Sequence, residues 1–186
     1  SGRNRVYVYQ DSDLGVQAQR GITHWVQRLH AALDENRLQL YWQRIVALQS
    51  SAEGPVRGEV LLRLREGSTL IEPGAFLPVA ERYALVSRID RWVVAEVFAQ
   101  LAAAGPPLAA LETLSVNLSG QSVSDPEFQQ FMLGHLQSPG FDLRKLCIEV
   151  TETSAITHLR EVIAFFETLR GFGVRVSLDD FGSGMS

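Results

Sequence analysis

The chain has 186 residues, 46% hydrophobic and 20% charged, with a net charge of −4, a globular balance that excludes intrinsic disorder and a broad electrostatic footprint for duplex nucleic acid. A single cysteine, Cys147, excludes an internal disulfide and a cysteine-built zinc site, and the four histidines (His24, His30, His135, His158) show no metal-ligand spacing. No apolar run is long enough to span a bilayer and no signal peptide opens the chain, so the expected compartment is the cytoplasm, with membrane tethering of a longer parent left open.

In chain order, Arg5-Val6-Tyr7-Val8-Tyr9 is a short β-prone segment without a nearby partner, and reads as the last strand of a preceding domain. Ser12 or Asp13 can cap a helix whose face is Ile22, Trp25, Val26, Leu29 and Leu33. Leu38 to Leu48 is strand-like, and a Ser-, Gly- and Pro-rich loop returns it into Arg57 to Leu64. With no helix between them, these two strands pair antiparallel. Pro73-Gly74 precedes a short helix through Phe76, Val79 and Ala80. A longer helix follows from about Ser87 to Ala104, where Ser87 and Asp90 have the form of a capping box and Ile89, Trp92, Val93, Val97 and Leu101 face inward.

Thr113 to Leu118 is the next strand. Ser124-Asp125-Pro126-Glu127 starts a helix that turns Phe128, Phe131, Met132 and Leu136 inward. Leu146 to Val150 is a strand, followed by a helix carrying Ile156, Leu159, Val162, Ile163, Phe166 and Leu169 and stopped at Gly171. Val174 to Asp179 is the last strand, and it opens into the glycine-bearing Asp180–Ser186 loop. After the opening hairpin, strands alternate with helices, the pattern of an α/β fold built from right-handed βαβ units on a parallel sheet. About five strands are present, against the eight that close a barrel.

Strand alternation sorts the residues into two faces. Val60, Leu62 and Leu64, then Leu114, Val116 and Leu118, Leu146, Ile148 and Val150, and Val174, Val176 and Leu178 share the face expected under the helices. The other face holds Glu59, Leu61 and Arg63, then Ser115 and Asn117, Cys147 and Glu149, and Ser177 and Asp179. A doubly wound sheet is apolar on both faces, so a polar face fits a barrel interior better. Asn117, Glu149 and Asp179 stand at carboxyl ends of strands, where barrel enzymes carry their sites. Acids gathered there repel one another unless a cation holds them, and an all-oxygen donor set favours Mg²⁺ or Mn²⁺ over zinc. Asp179 with Asp180 could serve two such ions, and Arg63 could hold a phosphate oxygen. Singly, each motif has a structural reading: a solvated strand face for Glu59 and Arg63, a turn or cap for Asn117, helix-start acids for Glu149 and Glu152, a strand exit for Asp179 and Asp180. Their coincidence on one face of one sheet end favours a site.

These residues fall in blocks that resemble the EAL-type cyclic di-GMP phosphodiesterases. Glu59-Val60-Leu61-Leu62-Arg63 resembles the signature motif, with Val in place of the commoner Ala. Trp42-Gln43-Arg44-Ile45, Pro73 to Glu81, Ser115 to Ser119, Glu149 to Glu152 and Asp179 to Gly184 resemble the remaining blocks in the same order. The resemblance runs from about Leu38 to Ser186, and Gly2 to Val6 resembles the closing strand of a GGDEF domain. It implies residues 1–11 as the end of a preceding GGDEF domain, 12–37 as linker and leading helix, and 38–186 as the N-terminal portion of a TIM-like (β/α)8 barrel with an antiparallel first strand, its C-terminal part absent. The implied reaction is hydrolysis of cyclic di-GMP to pGpG with Mg²⁺ or Mn²⁺. The implied metal ligands and catalytic residues are Glu59, Asn117, Glu149, Asp179 and Asp180. Gln43, Leu62, Arg63 and Asp90 are the implied substrate contacts, with Glu152 stabilising the Asp179–Ser186 loop. A family lysine, a glutamate and a glutamine have no counterpart here, so the expectation for residues 1–186 alone is little or no turnover. The alternatives are a receptor that binds cyclic di-GMP without cleaving it, and a structural module whose open edge pairs with a second chain as a dimer or by swapping.

Overall fold

The computed structural model describes residues 14–46, 48, 54–104, 110–151 and 159–179. The terminal segment 1–13, Glu152 and Asp180 to Ser186, all carrying expectations above, lie outside the described residues. The helices are α1 (Leu14–Asp34), α2 (Leu77–Arg82), α3 (Val86–Ala103), α4 (Gly120–Ser124), α5 (Pro126–Leu136) and α6 (Leu159–Gly171). The strands are β1 (Leu38–Ile45), β2 (Val56–Glu66), β3 (Thr69–Ile71), β4 (Leu111–Asn117), β5 (Leu146–Thr151) and β6 (Arg175–Asp179). Among the described residues, no helix is long and apolar enough to cross a membrane.

The main path of the sheet runs β1-β2-β4-β5-β6. β1 pairs antiparallel with β2, and β2–β4, β4–β5 and β5–β6 are parallel, joined through helices. This is the α/β order expected for the N-terminal part of a TIM-like barrel with an antiparallel first strand. β3, too short to register as a period-2 pattern, folds back on the end of β2.

The apolar parity of the strands meets the helices. Val60, Leu64, Val116, Leu118, Leu146, Ile148, Val150 and Val174 are buried together with Val93, Val97, Phe128, Met132 and Leu169 from α3, α5 and α6. Each such side chain contributes about 1.5–3 kcal/mol by leaving water. Two positions depart from the expected pattern: Leu178 and Ile163 are exposed, since each lies on the outer flank of the last strand–helix pair. Trp92 is half-buried, and its indole N–H donates to Asn36 Oδ1 at 3.0 Å.

The helix ends show their local chemistry. α3 begins at Val86, one residue before the expected Ser87, and has no side-chain cap. Asp90 therefore does not close a capping box; its carboxylate is directed elsewhere. Asp125 caps α5 as expected, its carboxylate accepting from Glu127 N, with Pro126 at the first helical position. α1, α2 and α6 end alike: the backbone N–H groups of Arg37, Leu85 and Val174 reach back to the carbonyls of Ala32, Ala80 and Leu169. The residue before each of these donors is left-handed: Asn36 (φ 53°), Ala84 (φ 54°) and Gly173 (φ 92°).

Towards the amino ends of the parallel strands, arginines tie the strands together. Arg57 on β2 makes a bidentate pair with Glu112 on β4 at 2.9 and 3.0 Å, and Arg175 on β6 donates to Thr113. The Arg57 hydrogen bonds hold the Glu112 carboxyl below its ordinary value.

Candidate active site

Strand register sets the geometry of the polar face. Gln43, Glu59, Ser115, Cys147 and Arg175 follow one another across β1, β2, β4, β5 and β6 in one row of partners. The next row along the strands is Asn117, Glu149 and Ser177, and the next contains Thr151 and Asp179. Glu59, Asn117, Glu149 and Asp179 thus climb the sheet as it is crossed from β2 to β6. This diagonal is the stagger of a barrel, where tilted strands bring residues of successive rows to one height.

Within the diagonal, two hydrogen bonds bind neighbouring strands. Asn117 Nδ2 donates to Glu59 Oε1 at 2.7 Å, and Ser115 Oγ donates to Glu149 Oε1 at 2.9 Å. Burial pushes the Glu149 carboxyl above the ordinary range, the Ser115 hydroxyl opposes that rise, and the charges of Glu59 and Asp179 add to it. Asp179 is exposed at the end of β6. Cys147 is buried in the row below; burial pushes its thiol up and the Glu149 charge adds to this, so it is a packing residue and no nucleophile.

The other expected residues divide. Gln43 lies exposed directly across from Glu59. Arg63 stands farther along β2, its Nη1 donating to the Leu62 carbonyl at 2.8 Å and its Nη2 4.0 Å from exposed Glu72, so no strong partner holds the guanidinium. The Leu62 side chain is not brought to this row. Alternation sends it to the opposite face, where it packs against the hydrophobic core, and Leu61 takes the side of Glu59. Asp90 is only 6% exposed, and its Oδ2 accepts from the backbone N–H of Ser119 at 3.0 Å. Sequence reasoning assigned no role to Ser115 or Ser119; the signal for Ser115 was its parity with Asn117.

The donor chemistry fits a hard divalent cation: Glu59, Asn117, Glu149 and Asp179 offer oxygen ligands alone, and the charges of Glu59 and Asp179 oppose the ionisation of Glu149, an opposition that a shared cation would relieve. Among the described residues, no three His, Cys, Asp or Glu side chains already converge on one point; Asn117 supplies the remaining donor of the diagonal.

The chain belongs to the EAL domain family, whose model matches residues 26–186. It is 33% identical over its whole length to the cyclic di-GMP phosphodiesterase PdeB of Shewanella oneidensis, of which it spans 22%. It is 32% identical, again over its whole length, to the bifunctional diguanylate cyclase/cyclic di-GMP phosphodiesterase MucR of Pseudomonas aeruginosa, of which it spans 27%. Among solved structures it superposes on the Xanthomonas citri FimX EAL domain in complex with c-diGMP with a TM-score of 0.76 at 31% identity, covering 91% of this chain and 65% of that one.

Proposed function

We propose that the chain is the N-terminal portion of an EAL domain whose parent hydrolyses cyclic di-GMP to linear pGpG with Mg²⁺ or Mn²⁺. The observation that carries this reading is the diagonal Glu59–Asn117–Glu149–Asp179, with Asn117 hydrogen-bonded to Glu59 across two strands. Glu59, Asn117, Glu149 and Asp179, with Asp180 for a second ion, would hold the metal. A divalent cation bound there supplies Lewis-acid polarisation of a phosphate ester and a water ionised near neutral pH.

The chain's own side chains do the rest. Ser115 orients the Glu149 carboxylate, Arg63 offers a planar donor fork to a phosphate oxygen, and Gln43 lines the approach beside Glu59. Residues 1–11 are the end of a preceding GGDEF domain and 12–37 the linker and leading helix. In support, the match to MucR extends over the whole chain whereas the EAL family model begins at residue 26. Residues 1–186 alone turn over little or no substrate.

The test is to incubate the full-length protein with cyclic di-GMP and Mg²⁺ or Mn²⁺ and separate the products. pGpG formation, lost in E59A and on chelation with EDTA, is the expected result. Retained binding with no pGpG would assign the parent as a cyclic di-GMP receptor, and robust hydrolysis by purified residues 1–186 would overturn the inactivity of the fragment.

A further inference from the structure

β2 is supported differently along its length. Around Glu59 it has a strand on each side, with Gln43 of β1 and Ser115 of β4 as the partners of Glu59 itself. Pairing with β4 ends at Val60, yet β2 runs on to Glu66. Arg63 lies in this extension, opposite Gln39 of β1, and β3 joins the other side only from Leu64 onwards. So small a ribbon is marginal without a helix packed against it.

α1 supplies that helix. Strand alternation puts Arg63 on the Glu59 side and Glu66 on the opposite side with Leu64, which shares the core with Leu29 and Ala32 of α1. Arg28 of α1 grips the Glu66 carboxylate with both arms of its guanidinium, Nε donating to Oε1 at 2.7 Å and Nη2 to Oε2 at 2.5 Å. The grip is itself braced. The Arg28 guanidinium lies 3.8 Å from the centroid of the Trp25 ring, and that ring meets fully buried Phe76. Beside it, Arg65 N donates to the Arg37 carbonyl at 2.9 Å. A bidentate, half-buried pair stacked on an indole fixes geometry where a single exposed ion pair would not. The Arg63 guanidinium has no such bracing: it donates to the Leu62 carbonyl and stands 4.0 Å from exposed Glu72, so the strand beneath sets where it points.

We infer that Arg28 and Glu66 are positioning residues for Arg63: α1, clamped to the far end of β2, holds the extension so that the guanidinium meets a substrate phosphate. This rests on the reading of Arg63 as a phosphate contact of cyclic di-GMP. Glu59, flanked by strands on both sides, does not depend on the clamp. A change in how α1 docks is therefore felt as a change in substrate affinity, while the metal diagonal keeps its geometry.

The test uses E66A, R28E/E66R, R63A and E66A/R63A in the full-length protein. Two measurements are made below the melting transition of each variant: cyclic di-GMP affinity by calorimetry in EDTA, and Mn²⁺ binding by electron paramagnetic resonance without substrate. E66A is expected to weaken cyclic di-GMP about tenfold with Mn²⁺ binding within about threefold of wild type, and the charge-reversed pair to recover most of that loss. In the R63A background, E66A is expected to change the affinity by less than about twofold, since the group it positions is gone. Unchanged affinity in E66A overturns the inference, and so does an equal loss with and without Arg63, or a matching loss of Mn²⁺ binding, which would mean general loosening. Should E66A fail to fold, E66Q replaces it, with about threefold weakening expected and unchanged affinity overturning. Unchanged affinity in R63A defeats the reading of Arg63, and the inference with it. A wild-type protein that binds cyclic di-GMP but forms no pGpG defeats the phosphodiesterase reading alone, while the affinities still decide the role of the clamp.

Discussion

Ser115 shows how a neutral side chain can govern a charged one. Its hydroxyl is the group that opposes the rise of the Glu149 carboxyl, against burial and two neighbouring charges. Substituting Ser115 with Ala in the full-length protein should raise the Mn²⁺ concentration for half-maximal cyclic di-GMP hydrolysis by about tenfold. An unchanged metal requirement would show that Glu149 needs no such support. Away from the site, Asp142 is a cleaner electrostatic case. The Arg144 guanidinium and backbone N–H hold its carboxyl down to about 2, against an ordinary 3.8. A carboxyl depressed in the folded state contributes stability that is complete above its unfolded value and is lost as pH falls through its folded one. The difference in thermal midpoint between wild type and D142N should therefore be constant near neutrality and close between about pH 4 and about pH 2. A gap that persists to the bottom of that range would refute the assignment. Residues such as Glu59, Asn117 and Glu149 were legible because a strand's period-2 pattern and a resembling motif place each one. Ser115 and Ser119 were not, because a serine beside a motif gains meaning only from the partner strand or helix that meets it.

At the scale of elements, the helix ends are where sequence and structure part. The Ser87–Asp90 pair has the spacing of a capping box, yet α3 starts a residue earlier and Asp90 serves the β4–α4 turn instead. Local spacing cannot reveal a competing partner 29 residues away. α2 carries the opposite surprise. It closes with a 6→1 bond from Leu85 N to Ala80 O, which requires a left-handed residue, and that residue is Ala84. A Cβ in this conformation costs about 1–2 kcal/mol, part of which glycine returns through its freedom in the unfolded chain. Ala84→Gly should therefore stabilise the protein by about 0.5–1 kcal/mol, read as a rise of about 2 °C in Tm. Destabilisation by A84G would mean that the Ala84 methyl packs more usefully than the backbone argument allows. The strands, by contrast, were legible almost to their ends, since alternating Val, Leu and Ile with polar partners leaves few other arrangements. β3 and α4 escaped because three and five residues are too few to establish a period.

At the scale of the whole molecule, the sheet of the described residues has β1 and β6 at its two ends. Tyr41, Trp42, Ile45 and Val46 stand exposed on or just past β1, as do Leu178 on β6 and Ile163 on α6. Strand edges with apolar side chains template association. Purified residues 1–186 should therefore associate in a concentration-dependent way by analytical ultracentrifugation and bind a hydrophobic dye. A monomer that excludes the dye would show these flanks to be covered. The barrel class was readable from the hairpin, the βαβ order and the polar face, while the diagonal stagger of the site was not, because it is a relation between strands that no single strand encodes. That stagger has a consequence in time. Glu59 and Asn117 are 58 residues apart, Ser115 and Glu149 are 34 apart, and Asp179 follows later still. During synthesis the β1–β2 hairpin can zip as soon as it emerges, whereas each further residue of the diagonal waits for another strand and its helix. A nascent chain would carry Glu59 without its partners on β4 to β6, and the complete diagonal would be among the last features it acquires.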